Sequence, residues 1–228
     1  RRTRSAYYQY NTGIAICAHC STVSLMSTPV THAPSPPLRS EIRNAVEEML
    51  HGQQQAARAA EALAPEIADA VSAAVSRLKH GGRIILVGAG TSGRIAVQDG
   101  VELAPTYGWS MDRLVFLLAG GRNALTESVE AAEDDAALAV REIAESSVSS
   151  DDVVIGVAAS GRTPYTCAAI ECSRAKGALT IAIANQPATP LIDLADLALC
   201  AETGAEFIAG STRMKAGTAQ KIILNTLS

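Results

Sequence analysis

No histidine follows His80 in this 228-residue sequence. All four, His19, His32, His51 and His80, precede the first glycine-rich loop, so acid/base chemistry in the loops beyond it falls to carboxylates. A basic excess is missing as well. Lys+Arg number 19 against 23 Asp+Glu, spread along the chain, which leaves no basic stripe for a nucleic-acid backbone. No apolar run reaches membrane-spanning length, and the short patch Gly13 to Ala18 after Arg1, Arg2 and Arg4 is too brief for a signal peptide. The 5 cysteines are an odd number, and Cys167, Cys172 and Cys200 lie in apolar stretches, so no disulfide framework is suggested. Cys17-Ala-His-Cys20 has half of a zinc pattern, but no second Cys/His pair follows it, and no metal is expected. These absences predict a soluble, cytoplasmic protein with neither nucleic-acid nor membrane partners.

What is present is enough apolar residue, 48%, to fill the core of one ordinary domain. Residues 1–38 mix Tyr, Ser, Thr and Pro without periodicity, and Pro34, Pro36 and Pro37 predict an extended stretch there. This segment is expected to be a disordered or vector-derived tail, with Met26 a candidate natural start. From Ser40 to Lys79 alanine-rich helical periodicity predicts two lead-in helices, interrupted near His51-Gly52 and Pro65. Strands and helices then alternate. Strands are expected at Arg83–Val87, Leu114–Leu118, Asp152–Val157, Leu179–Ala184 and Leu197–Cys200. Helices are expected at Gly93–Leu103, Ala124–Ile143, Pro164–Lys176 and from Met214 onward. Short apolar runs alternating with helices predict a mainly parallel sheet covered on both faces, with ligands outside the carboxyl ends of the strands.

Three loops at those ends carry glycine and hydroxyl groups. Gly88-Ala-Gly-Thr-Ser-Gly93 matches GxGxxG, which sets backbone N–H groups and a helix N-terminus against an anion. A dinucleotide would need an acidic residue at the end of the second strand, and Ala119-Gly120-Gly121 stands there instead. Thr91 and Ser92 are therefore read as hydroxyls for a phosphate or sugar. Ala158-Ala-Ser-Gly-Arg-Thr-Pro-Tyr165 repeats the pattern with Ser160, Gly161 and Thr163, and Pro164 suits a first helical turn. Ser and Thr are also ordinary helix caps, a reading that each loop alone would favour. Two such loops at one end of one sheet favour an anion site. Gly210-Ser-Thr-Arg-Met-Lys215 adds Ser211, Thr212 and Lys215 before the last helix. Asp99 and Glu102, three apart, are expected on one helix face, and Glu127, Glu130, Glu133, Asp134 and Asp135 on the long helix after the second strand. Pattern does not choose the catalytic carboxylate among them.

Together, Gly88 to Arg94, Glu102 with Pro105-Thr106, Val129 to Asp134, Ala158 to Tyr165 and Gly210 to Lys221 resemble the N-acetylmuramic acid 6-phosphate etherases. The resemblance implies a sugar isomerase (SIS) domain over residues 39–228, a three-layer α/β/α sandwich of flavodoxin-like, doubly wound architecture. It further implies a cofactor-independent, homodimeric lyase that removes D-lactate from N-acetylmuramic acid 6-phosphate during cell-wall recycling. Glu102 matches the family's principal acid/base residue and Glu133 its second essential carboxylate. A partly desolvated Glu102, beside Leu103 and Ala104, would suit a base working near neutral pH. Where the family has Cys-Pro-Pro-Thr after this glutamate, Leu103-Ala104-Pro105-Thr106 stands here, and His51-Gly-Gln-Gln-Gln55 replaces an acidic N-terminal pattern. The family continues with further helices after the position matching Leu224-Asn-Thr-Leu-Ser228, so its C-terminal helical region is expected to be missing here, as in a fragment or a shortened relative. A non-catalytic sugar-phosphate sensor would have no use for both glutamates, and an aldose-ketose isomerase is disfavoured by the run from Gly210 to Lys221.

Overall fold

Each strand of the domain is a run of four to six apolar, mostly β-branched or leucine residues, and side chains on such a run point alternately to two sides. Both sides are buried here. The computed structural model describes residues 36–228, so the expected tail, Met26 and the Cys17/Cys20 pair lie outside the described residues or at their margin. The chain divides into two units, residues 1–49 and 50–228. In the first, Arg43 and Glu47 form an exposed i,i+4 ion pair at 2.8 Å.

In chain order the elements are α1 (Pro36–Glu61), α2 (Ala64–Leu78), β1 (Ile84–Gly88), α3 (Gly90–Val101), α4 (Leu103–Tyr107), β2 (Leu114–Leu118), α5 (Ala136–Glu145), β3 (Val153–Val157), α6 (Pro164–Ala175), β4 (Leu179–Ala184), α7 (Pro190–Leu194), β5 (Leu197–Cys200) and α8 (Lys215–Leu227). Short 3-10 turns cover Met111–Arg113, Gly121–Leu125 and Ala132–Asp134. All strand pairs are parallel, in the order β2-β1-β3-β4-β5. This is the flavodoxin-like doubly wound order, whose chain reverses direction of winding between β1 and β3.

The two faces have separate cores. Leu86, Ile155, Val157, Ile181 and Ile183 pack with α2, α3 and α8 through Ile67, Ala70, Ala96, Ala219 and Ile223. Their strand neighbours Ile85, Val87, Val154 and Ala182 pack with α5, α6 and α7 through Ile143, Ala169, Ile170 and Leu191. The expected three-layer sandwich is what forms.

Four expectations need correction. α1 runs without the interruption expected at His51-Gly52, because one glycine inside a helix costs only about 1 kcal/mol, and the chain breaks only at Ala62-Leu63, by the other expected point, Pro65. It also starts at Pro36, where the expected extended stretch would lie, since proline fits a first helical turn. The long helix expected over Ala124–Ile143 does not exist. Residues 126–131 leave helical geometry, Ala131 takes a positive φ of 57°, and α5 starts only at its cap Asp135, whose carboxylate accepts the Leu138 N–H at 2.8 Å. α7 is not expected from the sequence, because five residues show too little periodicity.

The amino ends of the strands are tied by a polar network. Buried Asp152 accepts from Arg83 Nη2 at 2.7 Å and Nε at 3.1 Å, and from the backbone N–H groups of Arg83 and Ser149, each at 2.9 Å. Burial works to raise this carboxyl, but the Arg83 guanidinium and the two N–H donors outweigh it and hold it below the usual range. Arg113 donates to the carbonyls of Gly82 and Leu78 and stacks 4.4 Å over the Trp109 ring.

Candidate functional site

The loops after β1 and β3 leave the sheet on either side of the winding reversal, the place where doubly wound folds bind ligands. The first turn closes only on glycine: a Cβ on Gly88 would sit 2.8 Å from the Cα of Gly93, and one on Gly93 would strike Leu118. The second turn needs Gly161 at φ 62°, with its Cα pressed against the Thr189 side chain. Both turns therefore bring backbone where a side chain would otherwise stand.

The hydroxyls in these loops are not acting as helix caps. No side chain caps α3 or α6, so the first N–H groups of both helices face outward without a side-chain acceptor. Among the described residues, Thr91, buried Ser92 and half-buried Thr163 make no side-chain hydrogen bond, and Ser160 Oγ accepts only the Arg162 N–H at 3.2 Å. The capping reading fails, and the loops hold uncommitted donors beside two helix N-termini. Such a site favours an anion electrostatically. Thr91 Cγ2 lies 3.7 Å from the Cβ position of Gly217, so the first loop also meets the start of α8.

The segment before α8 closes on itself through one residue that the sequence reading missed. The Glu206 carboxylate accepts the N–H groups of Lys215 and Ala216, both at 3.0 Å, and so caps α8 from nine residues upstream. This holds the loop with Ser211 and Thr212 against the domain, and neither hydroxyl has a side-chain hydrogen bond among the described residues. The Lys215 stem packs over Gly52, 3.1 to 3.3 Å from its Cβ position. Between this segment and the ends of β3 and β4 lies a cleft of about 280 Å³, lined by Ala159, Asn185, Thr203, Glu206, Ala209 and Thr212 among others. Asn185 follows β4 directly, a position where a polar residue is legible as a candidate. Glu206 sits in no motif, and nothing short of the folded loop would single it out.

The carboxylates separate. Asp99 is buried and takes the Lys221 Nζ at 2.6 Å, whereas Glu102 lies past the end of α3 as its C-cap and is exposed. One is buried in an ion pair and the other faces solvent, so the expected desolvation of Glu102 is absent in this chain. Glu133 is exposed too, on the 3-10 turn Ala132–Asp134 that packs against α6. Neither glutamate makes an ion pair or side-chain hydrogen bond with the described residues. Arg94 braces the intervening chain, donating to the carbonyls of Ala124 at 2.7 Å and Glu127 at 2.9 Å. Among the described residues no group of three or more His, Cys, Asp or Glu is arranged to hold a metal, and no helix is long and apolar enough to cross a membrane.

A parallel sheet of this order, with glycine and hydroxyl loops at its reversal point, is the frame of a SIS domain, and the sequence agrees. Residues 66–174 match the glucokinase regulatory protein N-terminal SIS domain family and residues 125–227 the SIS domain family. The fold is similar to that of a phosphoheptose isomerase from Francisella tularensis, with TM-score 0.58 and 20% identity over 83% of this chain and 97% of that one. By fold and by these two matches, residues 66–227 form a SIS domain. The sequence is similar to the N-acetylmuramic acid 6-phosphate etherases. It is 52% identical over 176 residues to that etherase of Deinococcus radiodurans, covering 77% of this chain and 58% of the relative. With the Aeromonas hydrophila etherase it is 47% identical over 175 residues, covering 77% and 59%. The resemblance carried by the motifs is borne out, and the chain spans somewhat under three-fifths of the length of these relatives.

Proposed function

We propose that this chain is the SIS domain of a carbon-oxygen lyase that converts N-acetylmuramic acid 6-phosphate and water to N-acetylglucosamine 6-phosphate and D-lactate. The observation that carries the reading is the pairing of two uncapped helix N-termini, lined by free hydroxyls, with 52% identity to an etherase. Thr91, Ser92, Ser160, Gly161 and Thr163 hold the phosphate at the winding reversal, and Ser211, Thr212 and Lys215 close over the sugar. Anchoring the phosphate sets the reacting carbons against the carboxylates, which turns remote binding into orientation.

In the open-chain sugar the C1 aldehyde acidifies C2. Glu102 takes the C2 proton, a C2–C3 double bond forms, and the C3–O bond breaks with its electron pair leaving on the lactyl oxygen. Glu133 supplies that oxygen with a proton. Water then adds at C3, C2 regains a proton, and the acetylated amino sugar is restored. No redox change occurs, so the residues need to move only protons. The exposed apolar side chains of Val101, Tyr107 and Met111, close in sequence to Glu102, support a homodimer in which a second copy dries this carboxylate. The work belongs to amino-sugar recycling in the cytoplasm. The test is release of D-lactate from N-acetylmuramic acid 6-phosphate by the folded chain, alone and extended to the length of its relatives. Lactate that depends on Glu102 supports the reading, and none from the extended, folded protein overturns it.

A further inference from the structure

The cleft between the end of β4 and the segment before α8 contains a side-chain amide whose orientation is fixed. Asn185 is 5% exposed, donates from Nδ2 to the Ala201 carbonyl at 3.0 Å, and accepts on Oδ1 from Gln220 Nε2 at 2.9 Å. A carbonyl can only accept, so Nδ2 must face Ala201 and Oδ1 must face Gln220. That in turn fixes Gln220, and its Oε1, in a side chain fully buried in α8, is left without a donor among the described residues. An orphaned buried acceptor is unfavourable by about 1–3 kcal/mol. The arrangement gives up stability and holds an amide still in a residue that lines the cleft, and its Nδ2 carries a second proton with no partner among the described residues.

The rest of the lining says what that donor meets. No lysine or arginine is among the lining residues, and the Glu206 carboxylate is. Phosphate and the lactyl carboxylate are both repelled there, so the cleft receives a neutral part of the ligand. Ala159, Ala205, Ala209 and Ala216, with Gly204 and Gly210, present methyl groups and bare backbone around the amide. A carbonyl oxygen joined to a methyl group matches both features, whereas a bare hydroxyl would use the donor and leave the alanines idle.

We infer that Asn185 reads the acetamido carbonyl of an N-acetylated amino-sugar phosphate, with the alanine-lined wall taking its methyl and Gln220 acting as the positioning residue. This rests on the sugar-phosphate reading of the loops after β1 and β3, and it names the group that sets specificity at C2.

The experiment is calorimetric titration of the 228-residue chain with N-acetylglucosamine 6-phosphate and with glucose 6-phosphate, which differ at C2. Wild type is expected to favour the acetylated sugar at least tenfold. Asn185→Ala should bring the two affinities within about twofold while glucose 6-phosphate binding is unchanged. Ala209→Leu, on an exposed cleft residue outside the amide network, should do the same by filling the methyl site, which keeps the test open if Asn185→Ala fails to fold. Gln220→Met removes the orphaned oxygen but leaves Asn185 Oδ1 without its donor, so it should keep the melting temperature about level and still erode the preference. A purely structural glutamine would do the reverse. Equal wild-type affinity for both sugars, or an undiminished preference in Asn185→Ala or Ala209→Leu, overturns this inference and leaves the phosphate site standing. Binding of neither sugar phosphate by wild type overturns both.

Discussion

The two ends of the one parallel sheet use polar side chains in opposite ways. At the amino ends, the buried charge is fully engaged: Asp152 accepts five protein hydrogen bonds from Arg83 and Ser149, and Arg113 and Arg83 also spend their guanidinium groups on carbonyls. At the carboxyl ends, Thr91, Ser92, Thr163, Ser211 and Thr212 have no side-chain partner among the described residues, and two helices start without side-chain caps. Groups satisfied inside the protein stabilise it, and groups left unsatisfied at a concave surface are free to be satisfied by a ligand. Stability and the proposed binding are thus assigned to opposite edges of the same five strands.

The contrast breaks most sharply at the glutamates. Glu102→Gln is expected to lower D-lactate release by about a hundred- to ten-thousand-fold with no change in melting temperature, because the side chain is exposed and holds nothing in place. Enzyme assay beside thermal denaturation checks both halves. At the other end, Asp152→Ala should leave Arg83 and two backbone donors unmatched and destabilise the fold by about 3 kcal/mol, read from the urea midpoint. Its effect on sugar-phosphate affinity should be within twofold while the protein is folded.

Smaller changes sharpen the division. Ser160→Ala is expected to weaken sugar-phosphate binding about tenfold, the loss of one charge-assisted hydrogen bond, and to shift stability by less than about 0.5 kcal/mol. The smallest effect is in pH. Asp152 has a folded pKa below its unfolded value of about 3.9, so its stabilisation is present above that pH and fades as pH falls through the lower folded value. Urea midpoints should be level near neutrality and decline below about pH 4, with a shallower decline in Asp152→Asn.

Much of this was legible in the residues. Leu114–Leu118, Leu179–Ala184 and Leu197–Cys200 are strands at the bounds that their largely apolar runs predict, since a strand buried on both faces is near-continuously apolar. The loops at Gly88 and Ser160 were legible because glycine at a close approach and proline in a first helical turn are local requirements. The long helix over Ala124–Ile143 was not, because helical spacing of Glu127, Glu130 and Glu133 looks the same whether or not the backbone continues. Chain tied down by Arg94 and by Val129 packing on Gly120 overrides local propensity there.

The sequence by itself determined the parallel sheet, the glycine- and hydroxyl-rich loops and the resemblance, because each rests on residues close together in the chain whose backbone demands are local. Only the tertiary structure decided that Asp99 belongs to Lys221, that Glu206 caps α8, and that Asn185 and Gln220 lock each other beside the cleft. Those pairings join residues 9 to 122 positions apart. Which buried partner a polar group finds is set by packing, since burial makes an unpaired group unfavourable without saying which neighbour must pair with it.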